Sequence, residues 1–378
     1  MGSWRGTIET LELRSLLAAT GYLQLNLVSD QAGAALVQDP QLINPAGIAL
    51  APSIGDFWVS DTGTGVSTLY AGNVAGSPFS KDTLTVTVPG GAPTGQVFNS
   101  AAAFNVTSGG ASGLATFIFA SRSGQISGWN PSVPAAGSSQ AETAATVSGA
   151  IFTGLAEGTS GGNPFLYAAD FHNGRIDVFN GSFATATLAG SFADAAIPAG
   201  FAPFNIQDLN GNLFVTYAKQ DAAAQNAVAG AGNGFVAEFD SSGNLIGTLV
   251  SNGPLNAPWG LALAPATFGD LAGDLLVANS GDGKINAFNP TTGAFISTLN
   301  DASGNAITID GLRGLSFGNG TSAGDASTLY FSAGPSGGTH GLFGSLQSAQ
   351  NPIDVVATTL AATEGAAFSG VVATFNST

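Results

Sequence analysis

Residues 170–175 read Asp-Phe-His-Asn-Gly-Arg, and Asp170, His172 and Asn173 this close together could serve acid–base or metal chemistry. A general base of that kind is an imidazole oriented by a carboxylate. The same residue types also punctuate a tight hairpin, where short polar side chains bond to the turn. The only other histidine, His340, precedes Gly341 and sits far away in sequence. Zero Cys excludes disulfides, thiolate metal sites and a Cys nucleophile. No Gly-x-Ser-x-Gly supports a serine nucleophile. The acidic turns at 240–244 and 301–305 lack the alternating carboxylates of a calcium loop. The Gly-rich stretch 318–325 lacks the lysine of a phosphate-binding loop. No catalytic residues, no metal ligands and no cofactor are therefore assigned.

The rest of the composition describes a scaffold. Charged residues are 8% against 44% apolar, with 54 Gly, which suits many short strands joined by turns. The net charge of −16 leaves no cluster of Lys and Arg to neutralise phosphates, so a nucleic-acid partner is excluded. No apolar run reaches the roughly 18 residues of a membrane-spanning helix, so no insertion into a membrane is expected.

Self-similarity supplies the architecture. An apolar strand recurs at 44–50, 92–98, 151–157, 202–208, 257–263 and 311–317, anchored on Gly47, Gly95, Gly154, Asn205, Gly260 and Gly314. Each copy continues with a second apolar strand, a Gly turn and a third strand, and five copies add a fourth. Four strands per unit at a period of roughly fifty residues predict an all-β, six-bladed β-propeller. The sixth copy lacks an outer strand after Leu346, whereas residues 22–28 have no blade of their own. Pairing the N-terminal strand with the last blade closes the ring and removes a bare edge.

Aligned on the Gly before each third strand, the preceding residues are Thr64, Ser123, Asn173, Asn233, Asp282 and His340. This predicts an X-Gly hairpin turn with positive φ at one or both positions. Asp61, Asp170 and Asn279, four residues before the Gly, are read with Asn173 and Asp282 as structural turn residues. His172 has no such duty and is placed on the exposed top of the third blade. The turns between second and third strands share one face with the starts of the first strands. That face gathers Arg122, His172, His340, the insertion 218–233, Phe204, Asn205, Trp259 and Arg313 as ligand-binding candidates. Arg313 stands where the neighbouring copies have Trp259 and Phe204. It either contacts an anion or, the plainer reading, pairs with Asp310.

Several phrases carry resemblances. "YAADFHNGRIDVF" with "NPAGIAL" and "APWGLAL" resembles the NHL repeat. Over about 22–346 the chain resembles an uncharacterised bacterial family sharing phrases such as "PFNIQ", "YAKQD" and "HGLFGSL". That resemblance implies a propeller and export from the cell. Gluconolactonase-type propellers hold a metal with Glu, Asn and Asp on the channel, a set not assignable here, although Glu157 and Asp208 are unusual in first strands. "LELRSLLAA" resembles the LEPR-XLL motif of secreted planctomycete-type proteins, with Leu13 in the usual Pro position. "ATEGAAFSGVVATF" resembles the start of a PKD- or Ig-like module. The expected organisation is an export-like segment at 1–20, a propeller at 21–348, and a linker with a truncated Ig/PKD-like start at 349–378, in a longer chain. The expected role is a non-catalytic module at the cell surface or outside it, binding an unidentified ligand or protein on its top face. The alternative is a metal-assisted lactonase, hydrolase or lyase acting at the channel mouth.

Overall fold

The computed structural model describes residues 21–52 and 55–349. The export-like segment, and all of the expected Ig/PKD-like start except Ala349, lie outside the described residues. Six small sheets form a six-bladed β-propeller. Blade one runs through Pro45–Ala49, Phe57–Asp61, Val66–Ala71 and Ser80–Thr87 from the axis outwards. Blade two uses Pro93–Phe98, Phe117–Ser121, Gln125–Trp129 and Glu142–Thr146, with an extra hairpin, Asn105–Ser108 and Ala111–Leu114, inserted after its first strand. Blades four and five each have four strands, beginning at Phe201–Leu209 and Pro258–Leu263. Among the described residues no helix is long and apolar enough to cross a membrane.

Blade three departs from the expected four strands. Only Phe152–Ser160, Asn163–Asp170 and Arg175–Asn180 form its sheet. The next segment touches the third strand through one Phe179–Thr185 bridge and the Ala186 N–H bond to Val178 O. An outer strand pairs on one side only, so a weakly patterned segment loses little by leaving the ladder.

The ring closes as the unmatched N-terminal strand requires. Tyr22–Ser29 pairs antiparallel with Leu342–Ser348, outside Leu329–Ala333 and Leu312–Phe317 of blade six. Leu27 and Val28 are fully buried between blades six and one. The apolar core lies between the blades as a series of layers. Trp58 stacks on Phe117 of blade two at 4.0 Å, and Phe57 meets Tyr330 of blade six at 4.5 Å.

The inner strands carry the feature that shapes the channel. The pairing between first and second strands shifts register near the strand start in all six blades. A bulge adds an unpaired residue and re-aims its neighbours. At the same place the neighbouring backbones approach closely. A Cβ added to Gly47 would collide with Thr94 O, and one on Gly260 with Arg313 O; the same holds from Gly314 to Ala46 O. Glycine is needed there because the next blade occupies the space. Blade four breaks the pattern: Asn205 turns its Nδ2 to Trp259 O at 3.0 Å and joins blades four and five by a side-chain bond.

Candidate functional site

The six residues preceding those anchor positions are Ala46, Thr94, Thr153, Phe204, Trp259 and Arg313, one per blade, and all line one chamber of about 580 Å³ at the upper end of the channel. Blades one to three contribute small side chains and blades four to six large ones. The Trp259 indole, 6% exposed, crosses from blade five and donates Nε1–H to Thr153 O of blade three at 3.0 Å. It lines this chamber and also a second one of about 320 Å³ below. Trp259 therefore divides the channel.

Among the described residues, the upper chamber is lined by two cations, Arg122 and Arg313, and by one carboxylate, Asp310. Arg313 lines it, and no carboxylate among the described residues lies within ion-pair distance of its guanidinium. The expected salt bridge to Asp310 is absent: Asp310, on the same chamber wall, points Oδ2 at the Ser336 N–H at 2.7 Å. Burial, helped by the like charge of Arg122, lowers Arg313 to about 10, leaving it cationic at neutral pH. Arg122 enters from blade two; burial lowers it as well, and Asp221 opposes the shift. Its Nη2 donates to Gln225 O at 2.8 Å and Asn226 Oδ1 at 3.2 Å. The loop at 220–233 thus straps over the face from blade four to blade two, and Asn226 and Ala227 line the chamber. Asp221 shapes the strap by accepting the Gln225 N–H at 2.8 Å and Asn226 Nδ2–H at 3.1 Å.

The remaining candidates divide by position. Phe204 lines the chamber with Trp259 and packs on buried Phe171 at 5.1 Å. Asn205, expected on the top face, lines the lower chamber. His172 is half-buried rather than exposed, with Nδ1 3.2 Å from Ala224 O of the strap. His340 is off the axis, its Nδ1 2.8 Å from Asp30 Oδ2 and its Nε2 2.8 Å from Gln31 Nε2, joining blade six to the closing strand.

The turn residues do their work differently from the expected two-residue turn. Asp61 pairs with Val66 and Asp170 with Arg175, so four-residue loops connect these strands. Positive φ falls on Gly65, Gly124, Gly174 and Gly283, and on none of the residues before them; Gly234 and Gly341 are not left-handed either. Buried Asp170 accepts the N–H groups of Asn173 and Ile151 and takes Asn173 Nδ2–H at 2.6 Å. Asn279 accepts the Asn256 N–H at 3.1 Å, and Asp282 accepts the Lys284 N–H at 3.3 Å. Asp61 bonds to no turn N–H: its Oδ2 takes the Thr68 hydroxyl at 2.7 Å, and Oδ1 is buried without a partner.

In the lower chamber, Glu157 Oε1 accepts the Ser100 hydroxyl at 2.6 Å and the Ser100 N–H at 3.0 Å, while Asp208 accepts the Gly211 N–H at 2.8 Å. Burial raises both carboxyls. Asp208 is tied to its own hairpin, whereas Glu157 reaches the loop after the first strand of blade two and keeps Oε2 buried without a partner among the described residues. Among the described residues no three His, Asp or Glu side chains are grouped to hold a metal ion. Sequence reading compared Phe204, Trp259 and Arg313 at the position before the anchor but missed that Ala46, Thr94 and Thr153 complete the chamber wall there.

No family model matches the chain. Among solved structures it is similar to a protein of unknown function from Bacteroides thetaiotaomicron (10% identity, TM-score 0.47, covering 87% of this chain and 73% of that one). It is also similar to Myxococcus xanthus glutaminyl cyclase (13%, TM-score 0.38, covering 68% and 91%). Two uncharacterized proteins of Acanthamoeba polyphaga mimivirus are nearer in sequence. One is 32% identical over 329 residues, covering 85% of this chain and 78% of that protein. The other is 31% identical over 332 residues, covering 85% and 84%. The likeness spans nearly the whole propeller, and the chain belongs to the same family as these two mimivirus proteins.

Proposed function

We propose that the chain is a binding propeller whose small-molecule ligand occupies the upper chamber. The observation that carries this is the Trp259 indole lying across the channel as the floor of a 580 Å³ space, which falls in the size range of ligand sites. The aromatic floor and wall, polar rim and overlying strap are the parts such a site uses. The reading is non-catalytic: Asp310, the carboxylate on the chamber wall, is bonded to the Ser336 N–H, and His172 lies outside the lining with Nδ1 against Ala224 O. Location at the cell surface or outside the cell, in a larger chain of NHL-like type, belongs to the same proposal; its support is the LEPR-XLL-like and Ig/PKD-like stretches.

The test is calorimetry of the purified chain against sugars, sugar acids, amino acids, di- and tricarboxylates and phosphates. At least one class is expected to bind and raise the melting temperature, and Phe204→Ala and Trp259→Phe should each weaken that binding. A ligand whose affinity ignores both changes sits elsewhere, and the proposal then fails.

A further inference from the structure

We infer that the ligand of the upper chamber is a hydroxylated organic carboxylate whose carboxylate is held by Arg313. This rests on the chamber being the binding site. Cations are scarce in this chain, yet two of them meet in one chamber. Lys81, Arg175 and Lys284 each face an aspartate, at 2.8, 2.6 and 3.9 Å. Arg122 spends Nη2 on the strap. Among the described residues Arg313 has no carboxylate within ion-pair distance and no hydrogen-bonded carbonyl; Asp310 lines the same chamber with Oδ2 on the Ser336 N–H. A half-buried guanidinium without an ion-pair partner is costly, and an anion in the chamber relieves that cost. Its planar fork matches a carboxylate in two parallel bonds. Among the described residues Asp310 is the one acid lining the chamber against two arginines, and salt screens the more distant acids beyond roughly 8 Å.

The rest of the lining narrows the class. The hydroxyls of Thr62, Thr94 and Ser280 already donate to Pro93 O (2.7 Å), Phe152 O (2.8 Å) and Ala257 O (2.8 Å). They therefore offer the chamber lone pairs, which suit ligand hydroxyl donors. Trp259 and Phe204 provide faces for a carbon skeleton, and 580 Å³ is far more than an inorganic anion fills. Arg313 supplies donors for the charge, the hydroxyls supply acceptors, and the rings cover the body.

Calorimetry with glucuronate, glucose, succinate and inorganic phosphate tests the assignment. Glucuronate should bind best, and glucose and phosphate roughly tenfold or more weaker. Arg313→Gln should lose about tenfold or more in glucuronate affinity, and Arg313→Lys should recover part of it. Without ligand, Arg313→Gln should melt no lower than the parent, since it removes a half-buried charge that has no ion-pair partner among the described residues. Glucose binding as well as glucuronate, with Phe204→Ala weakening both, overturns the carboxylate and leaves the chamber reading intact. Phosphate equalling glucuronate, an unchanged affinity in Arg313→Gln, or no binding of any of the four probes also overturns it; the wider panel then judges the chamber separately.

Discussion

Asp61 shows how one position in the repeat can be filled in electrostatically different ways. Blade three has Asp170 there, satisfied by two N–H groups and Asn173, and blade five has neutral Asn279. Asp61 is fully buried with Oδ1 unpartnered, and burial raises its carboxyl well above the usual range; nearby Asp39 adds to this and the Thr68 hydroxyl opposes it. The folded state thus holds this proton more tightly than the unfolded chain. The contribution is most favourable in acid and is lost as pH rises above about 4, the ordinary carboxylate value. Asp61→Asn should abolish that loss, so its stability advantage over the parent should grow from pH 4 upward. Urea midpoints across pH 4–8 check this, and parallel curves for the two proteins would refute it. The turns themselves were legible from their glycines, whereas the backbone of the preceding residue was not. A two-residue turn with two left-handed positions and a four-residue loop ending in one left-handed Gly share the same X-Gly signature. Asn173 accordingly acts through its side-chain bond to Asp170.

At the scale of the strand, closure depends on Tyr22–Ser29. Leu27 is completely buried between blades six and one, so Leu27→Ala should cost about 2–5 kcal/mol, the range for removing a buried leucine side chain. Equilibrium urea unfolding measures it; a loss near that of a surface site would mean the strand is dispensable. The strand was readable because the sixth copy ended one strand short. The fourth strand of blade three was misread because outer strands are half-exposed and leave little alternation to recognise. The bulges were invisible, since an extra residue in a ladder has no composition of its own. They nevertheless decide that Ala46, Thr94, Thr153, Phe204, Trp259 and Arg313 reach the axis. That is why the candidates Trp259, Phe204 and Arg313 could be chosen while their common wall could not.

Across the whole molecule, the blades are held at a spacing set by bare backbone. Gly47→Ala would drive a methyl group into Thr94 O, in a ring that can widen only by opening every other interface. Overpacking of this kind costs about 1–3 kcal/mol in a core that can adjust, so a loss of about 3 kcal/mol or more is expected here. A melting temperature within a degree or two of the parent would show that the ring yields. The chamber should suffer in the same variant, because Arg313, Ala46 and Thr94 belong to strands packed on one another.

Trp259 also stands as a partition shared by the two chambers of the axis. A ligand held as proposed above the indole would enter and leave beneath the strap, so capture and release would share one doorway. Crowding that doorway would slow both directions alike and leave the equilibrium unchanged. The two ends of the axis differ in chemistry, with the carboxyls of Glu157 and Asp208 below the indole and the guanidiniums of Arg122 and Arg313 above it.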